Sequence, residues 1–417
     1  MNMFKMKSIF LICFSFTVFL QRILFSQDAA FYSKQGDSLY YLKEYEGSVN
    51  RYEQSLQIDP LNADVIYNAA CVYSLLGKTD AAFGKLEELP GLGYENVRWI
   101  SKDSDLEKLR DDVRWRALLE KLQGNLDKRK NIGNMKIVTT DISNFWDMYD
   151  AYKNSGSIDD ISNLYFAKKS AGLNAFTKRR VINPKEMEKV LKAYPRYLES
   201  IRSNTLKLAG VKDKLRRYFL KLKEIYPDVY YPDIYFTIGC FNTGGTVSGR
   251  MLLIGAEMMC ADENSPKDEL NNWLKGNIGE FSNIEKIVLH ESIHTLQATG
   301  SETLLEASII EGVCDFITYL ITGKEMSAPH YIYGNKYEKG LWKEFKKEMN
   351  STGFQRWLYS GEYSVGRPSD LGYFIGYKIC EAYYENAEDK QKAVKEIIEV
   401  EDFANFLKKS RYEEKFD

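Results

Sequence analysis

Two of the three histidines in this 417-residue chain stand four apart, with a glutamate directly after the first: His290, Glu291 and His294 in VLHESIHTLQATG. Residues four apart on a helix share a face, so both imidazoles can reach one metal ion. Glu291, one position on, is placed to approach a metal-bound water rather than the metal itself. With so few histidines, this spacing would arise by chance in roughly one such chain in several hundred. A histidine pair can also cap a helix or fill a core; the glutamate between them favours the metal.

A catalytic zinc site takes three protein ligands and keeps a fourth position open for water. The segment TLLEASIIEGVCDFITYLITG, 303–323, reads as a second helix, with Thr303 and Glu306 as a capping box and Gly323 as its stop. It carries Glu311 on an otherwise apolar face, where a carboxylate without a partner is costly. A cation held by two histidines would be that partner, which makes Glu311 the third ligand. Asp315, four residues on, can hold a ligand histidine through its free ring N–H. His330 is an alternative third ligand, and Cys314 a candidate fourth that would close the site. Two histidines and one carboxylate favour Zn2+ among divalent ions. For hydrolysis, Glu291 is the general base. The oxyanion donor is sought in RPSDLGYFIGYKICEAYY, with Tyr373 the first choice and Tyr377, Arg367 and His330 the others.

The elements that must position these groups are partly legible. Ser282 and Glu285 have the spacing of a capping box, and Ile284, Ile287, Val288 and Ile293 supply an apolar face, so a helix is expected to begin just before the histidines. Gly372 and Gly376, one turn apart, suggest a close backbone approach. Residues 229–260 read as a β-hairpin: VYYPDIYFTIGCF and RMLLIGAEMM as strands, NTGGTVSG as the glycine turn between them. RMLLIGAEMM is either an edge to which a peptide could add or an inner core strand. NTGGTVSG lacks the lysine of a phosphate-binding loop.

Residues 28–90 repeat with a period of 34: Gly36, Leu39, Ser48, Tyr52, Ser55 and Pro60 are followed by Ala70, Tyr73, Ala82, Leu86 and Leu89. Small and bulky residues at such offsets let helical hairpins close on one another. A degenerate third unit carries an apolar stripe from Leu106 through Trp115 to Leu122, with Trp115 read as core. The polar run QGNLDKRKNIGN then reads as a linker. Residues 1–26 have the order of a signal peptide, with Lys5 and Lys7 before an apolar run too short to span a bilayer. Cys13 follows Leu-Ile rather than a small residue and is not read as a lipidation site. The expected boundaries are 1–26 signal peptide, 27–124 repeats, 125–136 linker and 137–417 metal domain.

A formal net charge of -2 offers no basic excess for nucleic acid. Removing the leader takes three basic side chains and no acidic one, so the mature chain is mildly acidic. Of six cysteines, the five beyond the leader are widely spaced without a CxxC pair, the pattern of buried single thiols rather than of a disulfide framework.

The repeats resemble the tetratricopeptide repeat (TPR), with Asp59-Pro60 closing the first unit and no matching proline in the second. HESIH followed by E-x-x-x-D resembles the gluzincin metallopeptidases. More broadly, residues 137–410, through IYFTIGCFNTGGTVSGRMLLIGAEM, HESIHTLQ, EGVCDF and RPSDLGYFIGYKIC, look like a bacterial family of predicted zinc-dependent proteases. The resemblance implies a mainly α protein with a small β-sheet: a TPR-like helical solenoid and a zincin-like α+β metallopeptidase domain. It implies zinc held by His290, His294 and Glu311, a peptide or protein substrate and a protein partner on the repeats. The signal-peptide order of residues 1–26 implies export to the periplasm or beyond, with no stable membrane span after signal cleavage. The competing expectation is a TPR scaffold fused to a metal-stabilised, inactive domain.

Overall fold

The computed structural model describes residues 29–180, 182–297, 300–359 and 366–416. The expected signal peptide, residues 1–26, lies outside them. Among the described residues no helix is long and apolar enough to cross a membrane. The chain divides into two units between Lys128 and Arg129.

In the first unit, small residues let helices close. A Cβ at Gly36, on helix 29–41, would stand 2.5 Å from the Tyr52 ring on helix Tyr45–Ile58. The buried Ser48 and Ser55 hydroxyls donate across the same seam to the carbonyls of Gly36 and Ala29, at 2.8 and 2.7 Å. Helix Ala63–Leu75 starts where the Asn62 side chain accepts from the Val65 N–H at 3.3 Å. Helix Thr79–Leu86 follows the turn at Gly77, whose φ of 70° suits glycine. Tyr52, Ile66, Ala70, Phe83 and Leu86 share one core with Trp115, Leu118 and Leu122. The polar run read as a linker begins inside helix Val113–Lys128, because the buried Leu126 extends the stripe one turn past Leu122. The helix therefore ends at 128 rather than 124.

The second unit, from Arg129, holds a four-stranded sheet of order β1-β2-β4-β3: β1 Ile137–Val138, β2 Asp233–Thr237, β3 Gly245–Ser248 and β4 Met251–Gly255. Helices fill the long crossover from β1 to β2. The expected hairpin is misassigned. β2 and β4 run parallel, with Ile234 opposite Leu252, and the GTVS of NTGGTVSG is itself a strand, β3, paired antiparallel to β4 with Gly245 opposite Ile254. Of RMLLIGAEMM, Met251–Gly255 is thus the inner strand, buried over Leu252–Gly255, whereas Ala256–Met259 turns into a short helix; the half-buried β3 is the sheet edge beside β4. Alternating glycine and β-branched residues can be read as turn or strand; only a neighbouring strand decides.

Helix Ile284–His294 carries the histidines. The expected capping box before it does not form: Ser282 bonds Glu280, and Glu285 pairs with Lys214 at 2.7 Å. A 3-10 turn, Phe281–Asn283, leads in instead. Helix Leu304–Thr322 has the expected capping box of Thr303 with Glu306 and ends at Gly323 in the left-handed region. It packs backbone to backbone on helix Leu371–Asn386. A Cβ at Gly376 would lie 1.7 Å from the Ser308 carbonyl oxygen, and one at Gly312 2.0 Å from the Gly376 carbonyl carbon. This contact brings Glu311 and Tyr373 into one region.

Candidate metal centre

His290 and His294 project from one helix onto Glu311 of the next. Glu311 Oε2 is 3.2 Å from His290 Nε2 and 3.3 Å from His294 Nε2. Two ligand atoms each about 2.0–2.1 Å from one zinc ion at a tetrahedral angle stand about 3.3 Å apart. Both edges therefore have the length that tetrahedral coordination requires, and the donor set fits zinc.

What lies behind each ligand fixes its direction. His290 Nδ1 bonds Asp315 Oδ1 at 2.7 Å, and the Tyr331 hydroxyl donates to Asp315 Oδ2. The Gln297 amide donates through Nε2 to the Ile310 carbonyl at 2.8 Å, so its Oε1 must accept, 2.7 Å from His294 Nδ1. Each imidazole thus carries its proton on Nδ1 when neutral and offers an Nε2 lone pair toward Glu311. Behind Glu311, the Tyr359 hydroxyl donates to Oε1 at 2.6 Å and leaves Oε2 facing the histidines.

Electrostatics agree with a cation-binding role. Burial opposes charge on His290, but Asp315 and then Glu311 raise its pKa well above the ordinary value. Glu311 raises His294 against the same cost of burial. Burial also opposes charge on Glu311, yet the two imidazoles hold it well below the usual carboxylate range. A metal ion bound here would displace any proton on these rings, so its binding would release protons.

Glu291 does not join the ligands. It lies under the edge strand: a Cβ at Gly245 would be 2.8 Å from its Cδ and 2.9 Å from Oε1. The glycine in β3 is what lets the strand pass so close to this carboxylate.

The candidate donors separate. The Tyr373 ring stacks beside His290, centroids 6.1 Å apart at 25°, and burial followed by the Glu311 charge keeps its phenol protonated. His330 stands in the first turn of helix Pro329–Glu348, with its ring 5.8 Å from that of Tyr373. Burial favours its neutral form, and it is Glu311, not His330, that faces both ring Nε2 atoms. Tyr377 packs against Phe316 and Tyr331. Arg367 is held by Glu344 at 3.1 Å and lies over Trp357. Cys314 Sγ is within 4.8 Å of ring nitrogens of both histidines. It sits 3.4 Å from His294 Nδ1, however, the side turned to Gln297, and burial keeps it a thiol. To ligate, it would have to displace the Gln297 contact and turn the ring.

Gln297, Tyr331 and Tyr359 escaped the sequence reading. Gln297, three residues past His294, was the accessible one. Tyr359 reaches Glu311 across 48 residues, and no spacing rule connects them. The five described cysteines are all free.

The class defined by these features is a mainly helical protein with a small sheet and TPR-like repeats. A family model described as gliding motility protein GldB matches residues 127–414, and the chain belongs to that family. The family is thus one of gliding-motility proteins and not the predicted zinc-protease family that the motifs resembled. A TPR repeat model matches residues 36–77, so that part of the resemblance stands. A chloroplastic protein of Arabidopsis thaliana is 32% identical over 96 residues, 22% of this chain and 29% of that protein. The chain therefore matches less than a third of that relative's length. No solved structure matches.

Proposed function

We propose that this chain is an exported, zinc-dependent hydrolase of peptide bonds whose repeats recruit a protein partner or substrate. The observation that carries the reading is the pair of Nε2–Oε2 separations at Glu311, 3.2 and 3.3 Å, with Glu291 left free beside them. His290, His294 and Glu311 would hold zinc, which when bound lowers the pKa of water and polarises a carbonyl. The Glu291 carboxylate takes a proton from water and returns it to the leaving amine. The Tyr373 phenol, neutral and beside His290, donates to a developing oxyanion. The exposed side of β3 offers backbone groups to an extended substrate next to Glu291. Membership of a gliding-motility family supports a place in the cell envelope, and the TPR match supports a protein partner.

Metal analysis of the purified chain, with Glu291→Gln assayed on unfolded protein and peptide pools, tests the reading. Bound zinc with activity lost in the variant is the expected result; equal activity in both would sink the mechanism. A scaffold with a metal-stabilised domain is the second reading, favoured by the protein-interaction repeats. Under it, chelation unfolds the second unit and no hydrolysis is detectable beforehand.

A further inference from the structure

The repeat unit contains a cavity of about 430 Å³ bordered by four aspartates, Asp37, Asp64, Asp103 and Asp105, and, among the described residues, by no lysine, arginine or histidine. Its carboxylates are held in place by phenols. Tyr40 donates to Asp105 and Tyr52 to Asp37, each at 2.7 Å, and the Tyr67 hydroxyl donates to Asp103. A neutral donor fixes one lone pair of a carboxylate without cancelling its charge, so the wall keeps its negative potential. Aromatic faces complete the lining: Tyr67 and Tyr94 stack with centroids 5.9 Å apart at 13°, and Trp99 stands 55% exposed beside them.

Carboxylates alternating with aromatic faces suit a cation that is flat, weakly hydrated and able to donate several hydrogen bonds. A guanidinium has all three properties: it stacks on aromatic rings and pairs with carboxylates in a fork. A small metal ion would use Cys71, Asp103 and Asp105, whose ligand atoms lie within 4.8 Å of one another, but it would gain nothing from the rings. The volume admits a single long side chain and not a folded element.

We propose that this cavity is the docking pocket for an arginine side chain of an extended segment of a partner protein. The proposal does not rest on the metal centre and survives if that centre is inert.

The test uses the full mature chain and two probes of equal shape, N-acetyl-arginine methylamide and its uncharged citrulline counterpart, followed by ligand-observed NMR. Arginine should bind at least tenfold more tightly than citrulline, and Asp37→Asn with Asp105→Asn should remove that preference at unchanged helical content. Random peptide arrays probed with the wild-type chain should be enriched in arginine and depleted of aspartate and glutamate. Because the arrays need no variant, the test stands even if the double substitution unfolds the repeats. Equal binding of the two probes would overturn the proposal, as would arrays without arginine enrichment. It would equally fall if Ca2+ or Zn2+ bound at this site while the peptides did not.

Discussion

Gly245→Ala adds one methyl group and tests the relation between the edge strand and the proposed base. The new Cβ would stand 2.8 Å from Glu291 Cδ and 2.9 Å from both Cγ and Oε1, against about 3.5–4.0 Å for comfortable carbon contact. Gly245 has no left-handed backbone to strain, so the cost falls on the flexible Glu291 side chain, which must withdraw by about 1 Å. Misplacing a reacting group by that much costs about 10²-fold in rate, or about 2.7 kcal/mol of barrier. The proposed zinc ligands are untouched, so metal content should equal that of wild type, and stability should change by less than about 1 kcal/mol. The assay is hydrolysis of a quenched peptide pool, with zinc content and thermal melting measured on the same samples. A variant as fast as wild type at equal zinc content would refute the placement of Glu291 under β3. A slow variant that had also lost zinc would show that the methyl group disturbs the ligands instead.

Asp315→Ala and Gln297→Leu should each weaken zinc binding by about 10- to 100-fold, since each removes the acceptor that orients a histidine; chelator competition reads this, and unchanged affinity would deny them that role. Glu257 is buried without a protein partner for Oε2, and burial pushes its carboxyl up to about 7. The folded chain keeps this proton up to about pH 7 while the unfolded chain releases it near 4.5. Stability should therefore fall as pH rises through that window, by up to about 3 kcal/mol, and level off above it. Denaturant titrations in chelator should show Glu257→Gln missing this component; parallel pH profiles for the two proteins would contradict it. Gly376→Ala would put a Cβ 1.7 Å from the Ser308 carbonyl oxygen, a backbone clash expected to cost about 3 kcal/mol or more; an unshifted melting temperature would mean the two helices do not meet there.

Some of this protein was written in the sequence because the governing interactions are local. Helical spacing alone put His290 and His294 on one face, and the Thr303 to Glu306 box with Gly323 bounded the next helix correctly. The apolar neighbours of Glu311 marked a carboxylate in need of a partner, and the 34-residue period announced the repeats before the family match at 36–77. Where local signals were ambiguous, the reading failed. Ser282 and Glu285 have capping-box spacing, but Glu285 gains more from Lys214 on another helix. The GTVS of NTGGTVSG became an edge strand because β4 pairs with it antiparallel. Leu126 carried a helix into the apparent linker because the apolar stripe beneath it continued. Tertiary structure alone brought Tyr359 to Glu311, Tyr331 to Asp315 and Gly245 over Glu291. Each of these joins residues distant in the chain, and chain folding, not residue spacing, sets such distances.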